Sequence, residues 1–389
     1  MRNYSRDRSR FGKNGSKPKK PKNPQYDFVP VKQDPARQLV DLVYFNENKR
    51  NDLFTGEIKC SLYVLNHLLV GNEHTDIDTD GCGTINPLLL DEETLLVSPY
   101  SLKGCISNFI AQLLQIPMTR INKLDFKQPK YKMRIRRDKP ITSAIKGYYP
   151  FLSGELTHAN KKKLGILRSM FGYSLDRNEE KLLEKMCNKG GYWQDHSAKA
   201  AKVHFNYAVH IPETGTIGGY DLKLAGEPKD TPEYFDQLTN DNIVMKGRKV
   251  YRRYYACPKT TADKSNVLEQ VASYDPGKLY PVFRFKCHCE NLLPDELRYL
   301  LFALHQGEND FDATIPKDKL PDKIRSHQIG YGKNFGWGVI KITVDDINPL
   351  PPKIDFSVCE NLLKANVKLA DNIKYDPLGK EYECRARKP

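Results

Sequence analysis

Apolar and polar residues alternate over several stretches of the chain. In Glu57–Asn66, Ile58, Cys60, Leu62 and Val64 fall on one side, and Glu57, Lys59, Ser61 and Tyr63 on the other. That period of two is the mark of a half-buried strand. Ala201–Ile211 repeats it. Ala201, Val203, Phe205, Tyr207, Val209 and Ile211 alternate there with Lys202, His204, Asn206, Ala208 and His210. Tyr280–Cys289 sets Phe283, Phe285, Cys287 and Cys289 on one face, and Val339–Val344 forms a shorter strand. Two segments carry helical spacing instead. Ser101–Gln115 repeats Leu102, Ile106, Phe109, Ile110, Leu113 and Leu114 until Pro117 stops it. Pro294–His305 turns Leu297, Leu300, Leu301 and Leu304 inward and opens on a proline, which suits a first helical position.

The order is strand, helix, strand, strand, helix, strand. It predicts an α+β, modified ferredoxin-like (RRM-type) fold with large insertions. The open sheet face of such a plan often carries RNA. Residues 1–27 lack apolar periodicity and predict a basic disordered tail. Residues 28–345 make the folded domain, with an insertion at about 123–270, and 346–389 read as an irregular C-terminal tail. Within the insertion, 158–188 read as helical and charged, and 212–247 as turn-rich. Gly71 to Gly83 reads as a long glycine- and acid-containing loop.

Charge changes the picture most at the N-terminus. Residues 1–23 hold nine Lys/Arg against the single acid Asp7, a net +8 out of +14 for the whole chain. Polyanions attract such segments through phosphate pairing and counterion release. A solvated tail that keeps the protein soluble has the same composition. No apolar run approaches the roughly 20 residues that span a bilayer, and no hydrophobic stretch follows the first basic residues. The nine cysteines follow no framework spacing. An odd count in a long chain predicts free thiols in a reducing, cytoplasmic setting. Cys287-His288-Cys289 lacks the second ligand pair a zinc site needs, so its thiols are expected to alternate into a core, and no metal ligand set is predicted.

Three segments carry candidate chemistry. Four glycines in Gly330–Gly338 permit positive φ or close approach to a ligand. Gly332 and Lys333 sit within that loop, Asn334 adds an amide, and Tyr331, Phe335 and Trp337 add rings. The set suits a sugar–phosphate backbone with unstacked bases, and equally a tight turn whose aromatics pack inward. Ser98-Pro99-Tyr100-Ser101-Leu102-Lys103-Gly104 opens a helix with hydroxyls and a lysine, where N–H groups favour phosphate. Ser98 or Ser101 also suits a plain cap. Arg248, Lys249 and Tyr251 begin a basic-aromatic cluster that fits single-stranded RNA or a strand with snorkelling cations.

Asn66-His67-Leu68-Leu69-Val70-Gly71, Ile85-Asn86-Pro87-Leu88-Leu89-Leu90-Asp91 and Val97-Ser98-Pro99-Tyr100-Ser101-Leu102-Lys103-Gly104 together resemble the RAMP superfamily of CRISPR-associated proteins. In backbone-forming subunits of type III effector complexes, a strand ends in a His-Ile-Gly turn. A loop then reaches an Asp-Asn/Ser-Pro element, and Pro-Gly-Ser-Ser-Leu-Lys-Gly opens the first helix. Gly330–Gly338 is similar to that family's C-terminal glycine-rich loop. Tyr26-Asp27-Phe28-Val29-Pro30, Met170-Phe171-Gly172-Tyr173, Lys246-Gly247-Arg248-Lys249-Val250-Tyr251 and Asn291-Leu292-Leu293-Pro294-Asp295-Glu296-Leu297 resemble one type III-associated subgroup.

The resemblance implies a subunit that holds CRISPR guide RNA, meets target RNA, packs against other RAMP-type subunits and serves antiviral defence. Lys103 and the loop glycines would touch RNA, with His67 and Ser101 in the matching motifs. Some family members cut target RNA with a loop aspartate and a divalent metal. Here Asn86 precedes the proline, and an amide does not ionise. Asp76, Asp78 and Asp80 lie in the same loop as substitutes, and magnesium is the implied metal if they cut. Calcium is excluded, because a loop starting at Asp76 in the EF-hand manner reaches Pro87 where the bidentate glutamate belongs. Metal-free RNA processing by a histidine base is the remaining route, with His67, His74 and His327 as candidates.

Overall fold

The computed structural model describes residues 26–31, 39–41, 52–74, 84–92, 94–116, 145–146, 163–174, 198–222, 235–238, 243–251, 266–275, 279–315, 324–333 and 336–350. The architecture is α+β, with mostly antiparallel sheets and few helices. Its centre is built from β1 (Phe54–Val64), β2 (Leu96–Val97), α1 (Pro99–Leu113), α2 (Ile166–Phe171), β3 (Val203–Phe205), β4 (Ala208–His210), β5 (Val282–Leu292), α3 (Pro294–His305), β6 (His327–Gln328) and β7 (Val339–Pro349).

The main sheet runs β6-β7-β1-β5-β4-β2, with β3 also paired to β5. Every pairing in it is antiparallel. Both long helices cover one face. Ile58, Cys60, Leu62 and Val64 of β1 meet Leu102, Ile106 and Ile110 of α1 and Leu297, Leu300, Leu301 and Leu304 of α3 in one apolar core. Each such side chain withdrawn from water contributes about 1.5–3 kcal/mol. Ser98 caps α1, its hydroxyl accepting from the Ser101 N–H at 3.1 Å. The close-set cysteines alternate as expected. Cys287 and Cys289 point into the core beside Cys60, and burial pushes both thiols up in pKa.

The edge strand departs from its simple alternation. Phe205 pairs with Cys287, but Val209 pairs with Arg284, so one extra residue enters between β3 and β4. A bulge of this kind flips the faces beyond it. Ala208 and His210 turn inward, while Tyr207 becomes exposed. β7 runs to Pro349 rather than Val344, because a second bulge between Val344 and Asp346 hides the continuation from a period-two reading.

Residues 212–247, expected to be turn-rich, hold strands, and a further strand, Asn266–Ser273, spans the end of the expected insertion. Thr216–Leu222, Asn266–Ser273, Thr84–Pro87 and Gly71–His74 form a second sheet in that order, joined by His67–Leu68. Non-local pairing holds these short strands, and none has a clear alternation. In 158–188, the described part is one short helix, α2, between short strands. Residues 1–25, 123–140 and 351–389 lie outside the described residues, while Tyr26 and Asp27, at the end of the expected tail, belong to a strand, Tyr26–Val29.

The face of the main sheet away from the helices carries paired charges. Lys59 reaches Asp346 at 2.9 Å and Lys286 reaches Glu57 at 3.3 Å. Tyr63 packs its ring on Phe311. Among the described residues this face presents no row of free rings to stack bases, unlike the RNA-bearing sheet face the fold class suggested.

One buried ion pair ties the layers together. Lys202 Nζ lies 2.7 Å from Glu296 Oε2, and both side chains are almost fully enclosed. The same oxygen accepts the Leu293 N–H at the start of α3. The Lys202 N–H donates to the Met170 carbonyl of α2. Removing one partner strands the other charge, so Lys202→Ala is expected to cost about 3–5 kcal/mol in urea unfolding. A Lys202→Met, Glu296→Leu pair should recover most of that loss.

His305, at the end of α3, is buried, and burial followed by the nearby Lys341 charge lowers its pKa to about 4. The unfolded imidazole takes up its proton near pH 6.5. Stability is therefore full above about pH 6.5 and falls as the pH drops toward 4. A pH series of thermal melts should show this loss, and His305→Gln should flatten it.

Candidate nucleic-acid interface

The loop after β1 and the glycine loop are locked together. Asn66 is buried, its Oδ1 accepting the His67 and Val339 N–H groups at 2.7 and 3.0 Å. Its Nδ2 donates to the Gly336 carbonyl at 2.8 Å. The Tyr331 N–H donates to Leu69, and the Gly338 N–H to His67. Gly330, Gly332, Gly336 and Gly338 all have positive φ. At Gly330 and Gly338 the need is also steric. A Cβ there would overlap the carbonyl oxygens of Leu69 and Ile329.

This latch shapes a cleft of about 620 Å³. Three walls meet in it. The glycine loop supplies Gly330, Tyr331 and Lys333. The first turns of α1 supply Tyr100, Ser101 and Asn108. A strand at Arg248–Tyr251 supplies Lys249 and Tyr251. That strand pairs antiparallel with Tyr26–Val29, Tyr26 opposite Tyr251 and Val29 opposite Arg248. Two motifs some 220 residues apart in the chain thus form one ribbon beside the cleft. Lys249 Nζ stands 4.6 Å from the Tyr251 ring centre, a cation over an aromatic face. Tyr100 is 83% exposed, a free ring at the rim. Burial raises the Tyr331 phenol pKa.

The residues singled out in the sequence divide between the cleft and its supports. Ser101, Lys249, Tyr251 and Lys333 line the cleft. Lys103 lies on α1, half-buried and outside the lining. Arg248 turns to the end of α1, its Nε donating to the Ile116 carbonyl at 3.3 Å. Its burial lowers the guanidinium pKa to about 10. Trp337 is 2% exposed and packs on His67, ring centres 4.9 Å apart. The Trp337 ring braces the loop from within, as the inward-packing alternative had it. Gly332 is buried, and its carbonyl accepts the Trp337 N–H. Asn334 and the loop acids Asp76, Asp78 and Asp80 lie outside the described residues.

His67 and His327 are tied into the fold, and His327 also lines the cleft. His67 Nδ1 is 2.7 Å from the Ser273 hydroxyl. His327 is buried, its Nε2 2.7 Å from the Ala303 carbonyl. The His74 side chain lies outside the described residues. Among the described residues, no group of three or more His, Cys, Asp or Glu is placed to hold a metal ion. No helix among them is long and apolar enough to cross a membrane. Reading the sequence missed Asn66 as the latch and Tyr100 as the free ring. Both stand inside quoted motifs, but their roles depend on contacts across the fold.

Gly338→Ala is expected to force a side chain into the left-handed region against the Ile329 carbonyl, at a cost of about 1–3 kcal/mol or more. Thermal melts should show the loss. Proteolysis should cut first near residues 330–338.

No family model matches the sequence, and no curated protein matches it. Among solved structures, the chain is similar to one described as the crystal structure of Thermofilum pendens Csc2. Identity is 13%, over 89% of this chain and 87% of that one, with a TM-score of 0.33. A likeness at that score carries no argument about what this chain does.

Proposed function

We propose that the protein binds single-stranded guide RNA in this cleft, as a cytoplasmic structural subunit of a type III-like CRISPR effector complex. The observation that carries the RNA part is convergence. The glycine loop, the start of α1 and the Lys249–Tyr251 strand are far apart in sequence, each carries RNA-compatible chemistry, and all three line one cleft. Lysines beside tyrosines at its rim suit a phosphate chain with unstacked bases. The effector-complex part rests on the sequence resemblance to RAMP subunits.

The ribbon supports a further part for the basic N-terminus. Tyr26 is held opposite Tyr251 at the cleft, and nine of the preceding 25 residues are Lys or Arg. RNA leaving the cleft would pass within reach of that charge.

The first test is gentle purification from the native host, with sequencing of any bound RNA. Short RNAs of uniform length with CRISPR-repeat ends, together with companion RAMP-type chains, are the expected result. Random RNA, or none, from a chain that purifies alone sinks the effector-subunit reading. In vitro, Lys333→Glu and Lys249→Glu should each weaken single-stranded RNA binding and reduce the slope of log K against log salt by about one unit per lost phosphate contact. Magnesium-dependent RNA cleavage that disappears in Asp76→Ala, Asp78→Ala or Asp80→Ala would replace the purely structural role with a cutting one.

A further inference from the structure

The three walls of the cleft are not held alike. The glycine loop is latched by Asn66, and α1 is packed into the core. The third wall is the ribbon of Tyr26–Val29 and Arg248–Tyr251, whose strands pair with no other described strand. Two short strands on their own are marginally stable in water. The position of this wall therefore depends on what fastens the ribbon to the rest of the chain.

The fastened end is Val29 opposite Arg248. Val29 is buried. The Arg248 Nε donates to the Ile116 carbonyl at 3.3 Å, just beyond the end of α1. That helix also lines the cleft, through Ser101 and Asn108. One bond thus ties the ribbon to the helix it faces. Arg248 is itself not among the lining residues, whereas Lys249, Val250 and Tyr251, the next three in the chain, all are. Side chains two apart on a strand share a face. Lys249 and Tyr251 therefore stand together, with the ammonium 4.6 Å from the ring centre.

We propose that Arg248 is a positioning residue, which fastens the ribbon to α1 and so holds Lys249 and Tyr251 against bound RNA without touching the RNA itself. The inference rests on the cleft being an RNA site and adds what sets the residence time there. With the ribbon fastened, RNA is flanked by loop, helix and ribbon. Releasing the Val29–Arg248 end removes one of these walls. Changes within one binding surface act mostly on dissociation, so the off-rate is the quantity that answers to Arg248.

Two variants of similar side-chain length separate positioning from direct contact. Glutamine places its amide nitrogen where arginine has Nε, so Arg248→Gln keeps the donor and loses the charge. Arg248→Met loses both. Association and dissociation of a labelled single-stranded RNA are followed on the full-length chain by stopped flow, with a thermal melt of each variant. Arg248→Met is expected to speed dissociation about tenfold, the effect of losing one base stacked on Tyr251, while association changes little. Arg248→Gln should stay close to the unaltered chain. Adding Tyr251→Ala to Arg248→Met should cost little more, because residues that act through one another are not additive. Arg248→Lys, which keeps a cation but puts a methylene where Nε stands, replaces Arg248→Met if that variant does not fold.

Equal losses in Arg248→Gln and Arg248→Met, with the salt slope lower by about one in both, put Arg248 on a phosphate and overturn the positioning role. Unchanged dissociation in Arg248→Met overturns it too, as does an additive loss with Tyr251→Ala. Each of these leaves the RNA site standing. Failure of the unaltered chain to bind RNA overturns both readings at once.

Discussion

Asn66 is the residue on which the shape of the molecule turns. It ends β1 and is buried. One amide bonds three backbone groups, at His67, Gly336 and Val339. An amide in a dry interior must satisfy both its donor and its acceptor, so these bonds fix where the glycine loop lies relative to the sheet. The positive φ of the four loop glycines follows from that constraint. The loop has to turn tightly enough for Gly330 and Gly338 to lie against the carbonyls of Leu69 and Ile329. With the loop held there, Tyr331 and Lys333 face α1 across the cleft.

The two sides of the main sheet have been given different work. The inner side is a continuous apolar core, closed at one end by the Lys202–Glu296 pair. The outer side is neutralised by cross-strand ion pairs such as Lys59–Asp346. Exposed pairs of this kind contribute little stability. Their effect is to pair Lys59 and Lys286 with carboxylates on that face. Lys249, Lys333, Tyr100 and Tyr331 line the cleft, where loop, helix and ribbon meet. The function proposed here therefore sits at the edge of the fold, not on the open sheet as in the RRM plan.

Much of the central fold was legible as pattern. β1, α1 and α3 are long and keep their apolar period, and β5 keeps it from Phe283 to Cys289 before a bulge ahead of Leu292, so their type and order could be read residue by residue. The second sheet could not. Its strands owe their pairing to partners up to about 200 residues away, as when Ala272 meets Leu68, and their own sequences carry no clear alternation. The bulges before Ala208 and after Val344 defeated the reading for the opposite reason. The alternation there is real, but one inserted residue reverses which side is buried.

The sequence by itself determined the composition of the site. Lysines, tyrosines and glycines stand at positions that chain order alone marks as RNA-compatible, and the cysteines of β5 are marked as core. Only the tertiary structure decided which of these residues meet. It separated Lys249, Tyr251 and Lys333, which line the cleft, from Trp337, His67 and Arg248, which brace the elements around it. It also brought Tyr100, Asn108 and Gln112 into the cleft. The reason is physical. Residue type sets what a side chain can bond to, while exposure and partners depend on contacts between segments that no local pattern encodes.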